Sequence, residues 1–266
     1  MSAPILIIGA GKMGTALIRG WVKAGLGPIT VVEPNPSDAL KALGVQLVPS
    51  FEAIPAGAWR AVVVALKPHI LRAEAVRLAA IAATGSLMIS IAAGTGTDLL
   101  QRHWGARAAI IRVMPNTPGS IGRGISGLYA APGVTADDRA FADTLLSAIG
   151  QTVWLEEEGL IDAVTGVSGS GPAYIFALVE AMTAAGEAVG LPKATAAILA
   201  RATVTGAAAL LDADPKSTAE LIRDVATPGG TTEAALKVLQ APDGLPALMT
   251  KTVVACKARA EELARS

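Results

Sequence analysis

Four apolar residues, Ile5-Leu6-Ile7-Ile8, run straight into Gly9-Ala10-Gly11-Lys12-Met13-Gly14. Few local patterns restrict a fold as tightly. A short apolar run closed by glycine reads as a buried strand, and a helical pattern opens at Met13 and continues to Ala24. Strand, glycine turn and helix form the setting in which G-x-G-x-x-G spacing gains weight as a dinucleotide-binding fingerprint. Gly9 then permits the tight turn, Gly11 lets the backbone approach a pyrophosphate, and Gly14 lets helix and strand pack closely. The helix start, with Lys12 and Met13, presents free N–H groups and a positive dipole end to the phosphates. The competing reading is a glycine-rich turn in an α/β protein that binds no nucleotide.

The alternation continues. Apolar runs at Ile29–Val32, Ala61–Leu66, Ser86–Ile91 and Ala108–Val113 read as strands, with helices from Ser37 to Leu43 and Thr97 to Trp104. Further strands are expected at Gly124–Ala130 and Gln151–Leu155, with a helix from Ala136 to Ile149 between them. Strands that are apolar throughout indicate a parallel sheet covered on both faces. After Glu156 the texture becomes helical: 171–189, 193–211, 217–225, 231–240 and 246–264 are expected helices, broken by Gly and Pro clusters. The chain is thus expected to be α/β, with a doubly wound dinucleotide-binding domain over 1–156 and an all-helical domain over 157–266.

Composition narrows the function classes. Lys+Arg and Asp+Glu are 22 each, which argues against a nucleic-acid partner. A single cysteine, Cys256, leaves no internal disulfide framework and fits a cytoplasmic setting. No uninterrupted apolar run reaches the length of about 18 residues that a membrane span needs, so no membrane role is expected. Hydrophobic residues make up 52% and aromatics 3%, an Ala/Val-rich mix that lets helices approach closely. Helices apolar on more than one face need cover, and a second copy of the chain is the simplest one.

Ligands of doubly wound sheets lie beyond the carboxyl ends of the strands, which nominates the strand-end residues. Glu33 can accept from the adenosine ribose and would repel a 2′-phosphate, favouring NADH. Asn35 and Lys41 could instead serve a 2′-phosphate, so NADPH stays open. Leu66, Lys67 and Pro68 close the third expected strand, Ala93 and Gly94 the fourth, and Asn116 the fifth. Each is a candidate for the ribose or nicotinamide, although a surface lysine and a turn-forming asparagine fit the same letters. Thr227-Pro228-Gly229-Gly230-Thr231-Thr232 forms a second anion cradle, whose small residues and following helix can aim N–H groups at a carboxylate. Ordinary helix capping by Thr231 and Thr232 is the alternative.

Together with Ala65–Pro68, Ile91–Gly94, Arg112–Pro118 and Val167-Ser168-Gly169-Ser170-Gly171-Pro172-Ala173-Tyr174, these motifs occur in the order of the pyrroline-5-carboxylate reductases, which the chain resembles over its whole length. The resemblance implies reduction of 1-pyrroline-5-carboxylate to L-proline with NADPH or NADH. It also implies a Rossmann domain followed by a helical dimerisation domain, a homodimer, and in many members a decamer of five dimers. Carried over to this sequence, it makes Thr232 the catalytic residue, hydrogen-bonded to the ring nitrogen. Gly230 and Thr231 bind the substrate carboxylate, and Glu158 is an acid near the substrate. Asp224 stands where some relatives carry Asn in contact with both ligands. Arg223 and Phe51 are further departures from those relatives.

A protonated cyclic imine is already electrophilic, so positioning suffices and no strong general acid is required. His69 and His103 are expected to be structural, and no metal-ligand spacing occurs. Two other readings share the fold: a β-hydroxyacid dehydrogenase, which needs a lysine base that the 167–174 motif lacks, and a non-catalytic NAD(P)-sensing protein.

Overall fold

A computed structural model describes residues 3–265. The chain divides into two compact units, Met1–Ser170 with Cys256–Ser266, and Gly171–Ala255. Compactness therefore cuts the chain later than the expected 156/157 division, and it returns the last turns of the chain to the first unit.

The first unit is built on one sheet. Its strands are β1 (Ile5–Ile8), β2 (Ile29–Val32), β3 (Gln46–Val48), β4 (Ala61–Val64), β5 (Leu87–Ser90), β6 (Ile110–Met114), β7 (Gly124–Ala130) and β8 (Gly150–Leu155). They lie in the order β3-β2-β1-β4-β5-β6-β7-β8. Helices α1 (Lys12–Lys23), α2 (Asp38–Lys41), α3 (Pro68–Glu74), α4 (Ala79–Ala82), α5 (Thr97–Trp104), α6 (Ala136–Ser147) and α7 (Leu160–Val164) belong to the same unit.

Alternate strand residues feed two apolar layers, as a pleat with both faces covered requires. Ile5, Ile7, Val31, Val63 and Ile89 join Leu17, Trp21 and Leu145 in one cluster. Leu6, Ile8, Val32, Val64 and Met88 join Leu71, Leu100 and Trp104 in the other. The buried indoles are satisfied: Trp21 Nε1 donates to Leu145 O and Trp104 Nε1 to Ala75 O.

The expected all-parallel sheet needs one correction. β7 runs antiparallel to β6. Only residues 115–123 join them, and a parallel return needs a crossover of about a dozen residues or more. β3, only three residues long and opened by an exposed Gln46, does not stand out in the sequence; it extends the other edge parallel to β2.

The second unit holds α8 (Gly171–Ala188), α9 (Lys193–Ala213), α10 (Thr218–Val225), α11 (Thr231–Leu239) and the first half of α12 (Leu245–Arg265). α8 and α9 pack on each other, and the absence of a side chain at Gly186 makes room for Ala196. Among residues 171–255 only Ala196 and Ala200 are buried. Phe176 and Ile198 stand 66% and 69% exposed. α9 is long and apolar enough to cross a membrane by length and composition, although Arg201 interrupts its apolar run.

Candidate active site

The glycine turn is fixed by what surrounds it. Gly9 takes φ +93°, and a Cβ there would meet Ala65 O at 2.8 Å. A Cβ on Gly14 would lie 2.3 Å from Gly9 O, so α1 packs onto the turn only through glycine. Gly11 differs, because a Cβ there meets nothing within 4 Å. It is also the N-cap of α1 and supplies no side-chain cap. The first amides of a helix have no intrahelical acceptor. Open space in front of uncapped amides fits a pyrophosphate, so the residues present fit a dinucleotide.

The strand-end candidates line up along one edge. Glu33 is drawn into the turn: its Oε2 accepts from Ala10 N at 2.9 Å and its Oε1 from Asn35 N at 3.1 Å. Lys41 pairs with Asp38 at 2.9 Å. Lys12 is exposed, while Met13 packs against the first core layer and Leu66 against the second. Lys67 is the N-cap of α3, with Pro68 in the first turn, where a missing N–H costs nothing. Ala93 and Gly94 sit in the loop between β5 and α5. Asn116 is committed at both ends: Oδ1 accepts from Ile125 N at 2.9 Å, and Nδ2 donates to Ser168 O at 3.2 Å. It thereby ties the end of β6 to a wide helical turn over Thr165–Gly169. Phe51 begins a short helical turn, with the Arg77 guanidinium 4.5 Å from its ring centre.

Glu158 is the centre of a charged cluster. Its Oε1 accepts from Thr97 N at 2.7 Å and from Arg112 Nη1 at 3.2 Å, and its Oε2 accepts from Thr97 Oγ1 at 2.6 Å. Arg112 is buried and also reaches Asp162 at 3.2 Å. A carboxylate at the start of α5 meets the positive helix end. Sequence reasoning missed Arg112, Thr97 and Asp162, since nothing local pairs residues that far apart. His69 lies in the first turn of α3 and His103 in the last turn of α5.

The second cradle lies in the second unit. Gly229 adopts φ +73°, Gly230 N donates to Thr227 O at 2.9 Å, and Gly230 caps α11 without a side chain. Thr231 and Thr232 are its first two residues. Glu233, unremarked in the sequence, reaches back to accept from Gly229 N. That bond, followed by one to Lys237, holds its carboxyl below the usual range. Thr232 forms part of the wall of an apolar groove of about 280 Å³ together with Leu210, Leu221, Ile222, Val225 and Leu236. Asp224 is exposed and accepts from Lys216 Nζ at 2.8 Å, which raises the lysine pKa. No cluster of three or more metal-ligating side chains occurs among the described residues.

Residues 158–263 match the family described as pyrroline-5-carboxylate reductase dimerisation, and residues 4–94 the family described as NADP oxidoreductase coenzyme F420-dependent. The pyrroline-5-carboxylate reductase of Pseudomonas aeruginosa is 42% identical, over 99% of this chain and 98% of its own. That of Arabidopsis thaliana is 36% identical over 97% and 95%. The solved pyrroline-5-carboxylate reductase of Coxiella burnetii superposes with a TM-score of 0.92 at 35% identity, covering all of both chains. A Plasmodium falciparum pyrroline carboxylate reductase, solved with NADP bound, has the same fold at a TM-score of 0.83.

Proposed function

The chain belongs to the pyrroline-5-carboxylate reductase family, and from that premise we propose how its residues divide the work. The enzyme reduces 1-pyrroline-5-carboxylate to L-proline with NADPH or NADH. When bound, the nicotinamide supplies the hydride; the protein has only to hold, orient and neutralise. The Gly9–Gly14 turn, with Lys12 and Met13, holds the pyrophosphate on the amides of α1. The open space at Gly11 is the single observation that carries this assignment. Glu33 and Asn35 face the adenosine ribose, and Leu66, Lys67, Pro68, Ala93, Gly94 and Asn116 shape the edge beyond the strands. Asn116 and Glu158 act through the ties that they already make, Glu158 by fixing Thr97 and Arg112 on the substrate side.

The amides of Gly230 and Thr231 bind the substrate carboxylate, and the Thr232 hydroxyl accepts from the protonated ring nitrogen. Orientation of this kind supplies several kcal/mol toward the barrier. Asp224, held by Lys216, adds a carboxylate beside the cradle. The functional division stays at 156/157, supported by the start of the dimerisation match at residue 158. The working unit is a homodimer in the cytoplasm with no nucleic-acid or membrane partner, and the apolar faces of α8 and α9 form its interface. Light scattering separates a dimer from a decamer.

One assay decides the chemistry: oxidation of NADH and NADPH, in parallel, dependent on pyrroline-5-carboxylate. Turnover with the imine and none with hydroxyacids supports the reading. Nucleotide binding without turnover on any imine or hydroxyacid leaves only a sensor.

A further inference from the structure

The last helix of the chain ends against the cofactor edge of the sheet, and one side chain fastens it there. Arg72 lies on α3, and its Nη2 donates to two carbonyls, Gly94 O at 3.0 Å and Leu263 O at 2.6 Å. Leu263 lies in the last turn of α12, where a cation meets the negative end of the helix dipole. Gly94 sits in the loop after β5 with φ +64°. A Cβ built on it would touch Leu263 and the Ala264 amide at 3.4 Å, so the helix end lies directly against this residue. Gly94 is itself buried.

The contact is non-local: Arg72 and Leu263 are 191 residues apart. It joins the carboxyl-edge loop that carries Ala93 and Gly94 to the terminus of the chain. A loop held only at its two strand and helix ends samples many conformations; a third anchor through a charged hydrogen bond removes most of them.

We propose that Arg72 is a positioning residue for the nicotinamide cofactor: it locks the 92–96 loop to the carboxyl end of α12, so the last turn of the chain sets the shape of the cofactor edge. This rests on the reading that the dinucleotide lies along that edge. Arg72 acts through Gly94 and touches no reacting atom.

The test uses the full-length enzyme with Arg72→Met and Arg72→Lys, measuring NADPH and NADH dissociation constants by fluorescence titration and amide hydrogen exchange by mass spectrometry. In Arg72→Met, cofactor binding weakens on the order of tenfold. Exchange accelerates together in residues 92–97 and 259–264, while β1, β4 and β5 stay protected. Lysine, which keeps donors and charge but not the fork, recovers part of both effects. KM for the imine moves less than KM for the nucleotide, a split that general loosening would not give. Cofactor affinity within twofold of wild type in Arg72→Met overturns the proposal. So does faster exchange in 92–97 with an unchanged 259–264. Protection of residues 9–14 by NADPH or NADH in the wild type tests the underlying cofactor reading separately.

Discussion

Two glycine-rich turns open helices in this molecule, and they are braced in opposite ways. At Gly9–Gly14 the turn stands on β1 and β4, whose apolar residues are 0–1% exposed. Glu33 fastens it further through Ala10 N. At Thr227–Thr232 the turn joins two short helices, α10 and α11, that contain no buried residue. Its fastening is an exposed carboxylate, Glu233, reaching one amide. A single chain completes the first geometry. The second is left on an open surface of the single chain.

Paired substitutions break or sharpen that contrast, and the first has the largest effect. In Gly14→Val the new side chain meets backbone at Gly9 O. We expect a loss of about 3 kcal/mol or more, as for overpacking that the backbone cannot relax, together with loss of nucleotide binding. In Gly230→Ala the new methyl meets the Thr227 hydroxyl at 2.5 Å, which can rotate away, and the Thr227 carbonyl at 3.0 Å, which needs to give by only a few tenths of an ångström. Stability should then change by less than about 1 kcal/mol. Urea unfolding of both variants checks the pair; equal losses would mean that the second turn is as rigidly packed as the first.

The next concerns cover. Ile198→Asp places a charge on an apolar face that the chain leaves exposed. In an isolated subunit this would be harmless. At a subunit interface it buries an unpaired charge, at a cost of several kcal/mol, and weakens association at least a hundredfold. Sedimentation across a concentration series distinguishes the two. An Ile198→Asp enzyme of unchanged mass would move the interface off α9.

The same contrast explains what the sequence revealed. The first unit was legible because burial on both sheet faces writes itself as four-residue apolar runs, and glycine spacing marks the turn. β1, β2, β7 and α5 fall on the expected residues. β3 escaped because an edge strand with Gln46 exposed carries no such signal. The reversal at β7 lay in a connection length rather than in any residue type. The site was less legible. Glu158 was reached only through the family resemblance, and its meaning depends on Thr97 and Arg112, which are 61 and 46 residues away. Arg72 gave no signal at all, since its acceptors are backbone carbonyls. In the second unit the five helices were readable from breakers, whereas their packing partners were not, because an apolar face does not say what covers it.

Thr232 tests whether the second turn carries chemistry beyond capping. Gly230, not a threonine, is the N-cap of α11, and no side-chain cap is made there. Loss of the hydroxyl should therefore leave the helix intact. We expect Thr232→Ala to lower kcat/KM for the imine by about 10- to 100-fold, the worth of a hydrogen bond to a charged partner. Thr232→Ser should restore most of it. A change confined to thermal stability, with kinetics intact, would assign Thr232 to structure.

The smallest effect compares two capping boxes, one per unit. In the first, the Thr135 hydroxyl accepts from Asp138 N at 3.1 Å, and Asp138 in turn binds Thr135 and Arg60. Partial burial pushes the Asp138 carboxyl up, but the Thr135 hydroxyl and the Arg60 guanidinium outweigh it, and the net shift is downward. A depressed folded value means that this stabilisation is fully present above the ordinary value of 3.8 and fades as pH falls through the folded one. In the second box Ser217 and Glu220 make the same reciprocal bonds with no cation attached, on an exposed helix start. Thr135→Ala should cost about 1 kcal/mol at neutral pH, less as pH drops below 3.8. Ser217→Ala should cost less at every pH, because its helix melts into water rather than out of a core. Thermal melts at pH 7 and pH 3 decide it. A larger loss at Ser217 would show that α10 is held by something the single chain does not contain, which is the outcome expected if the partner subunit packs on that helix.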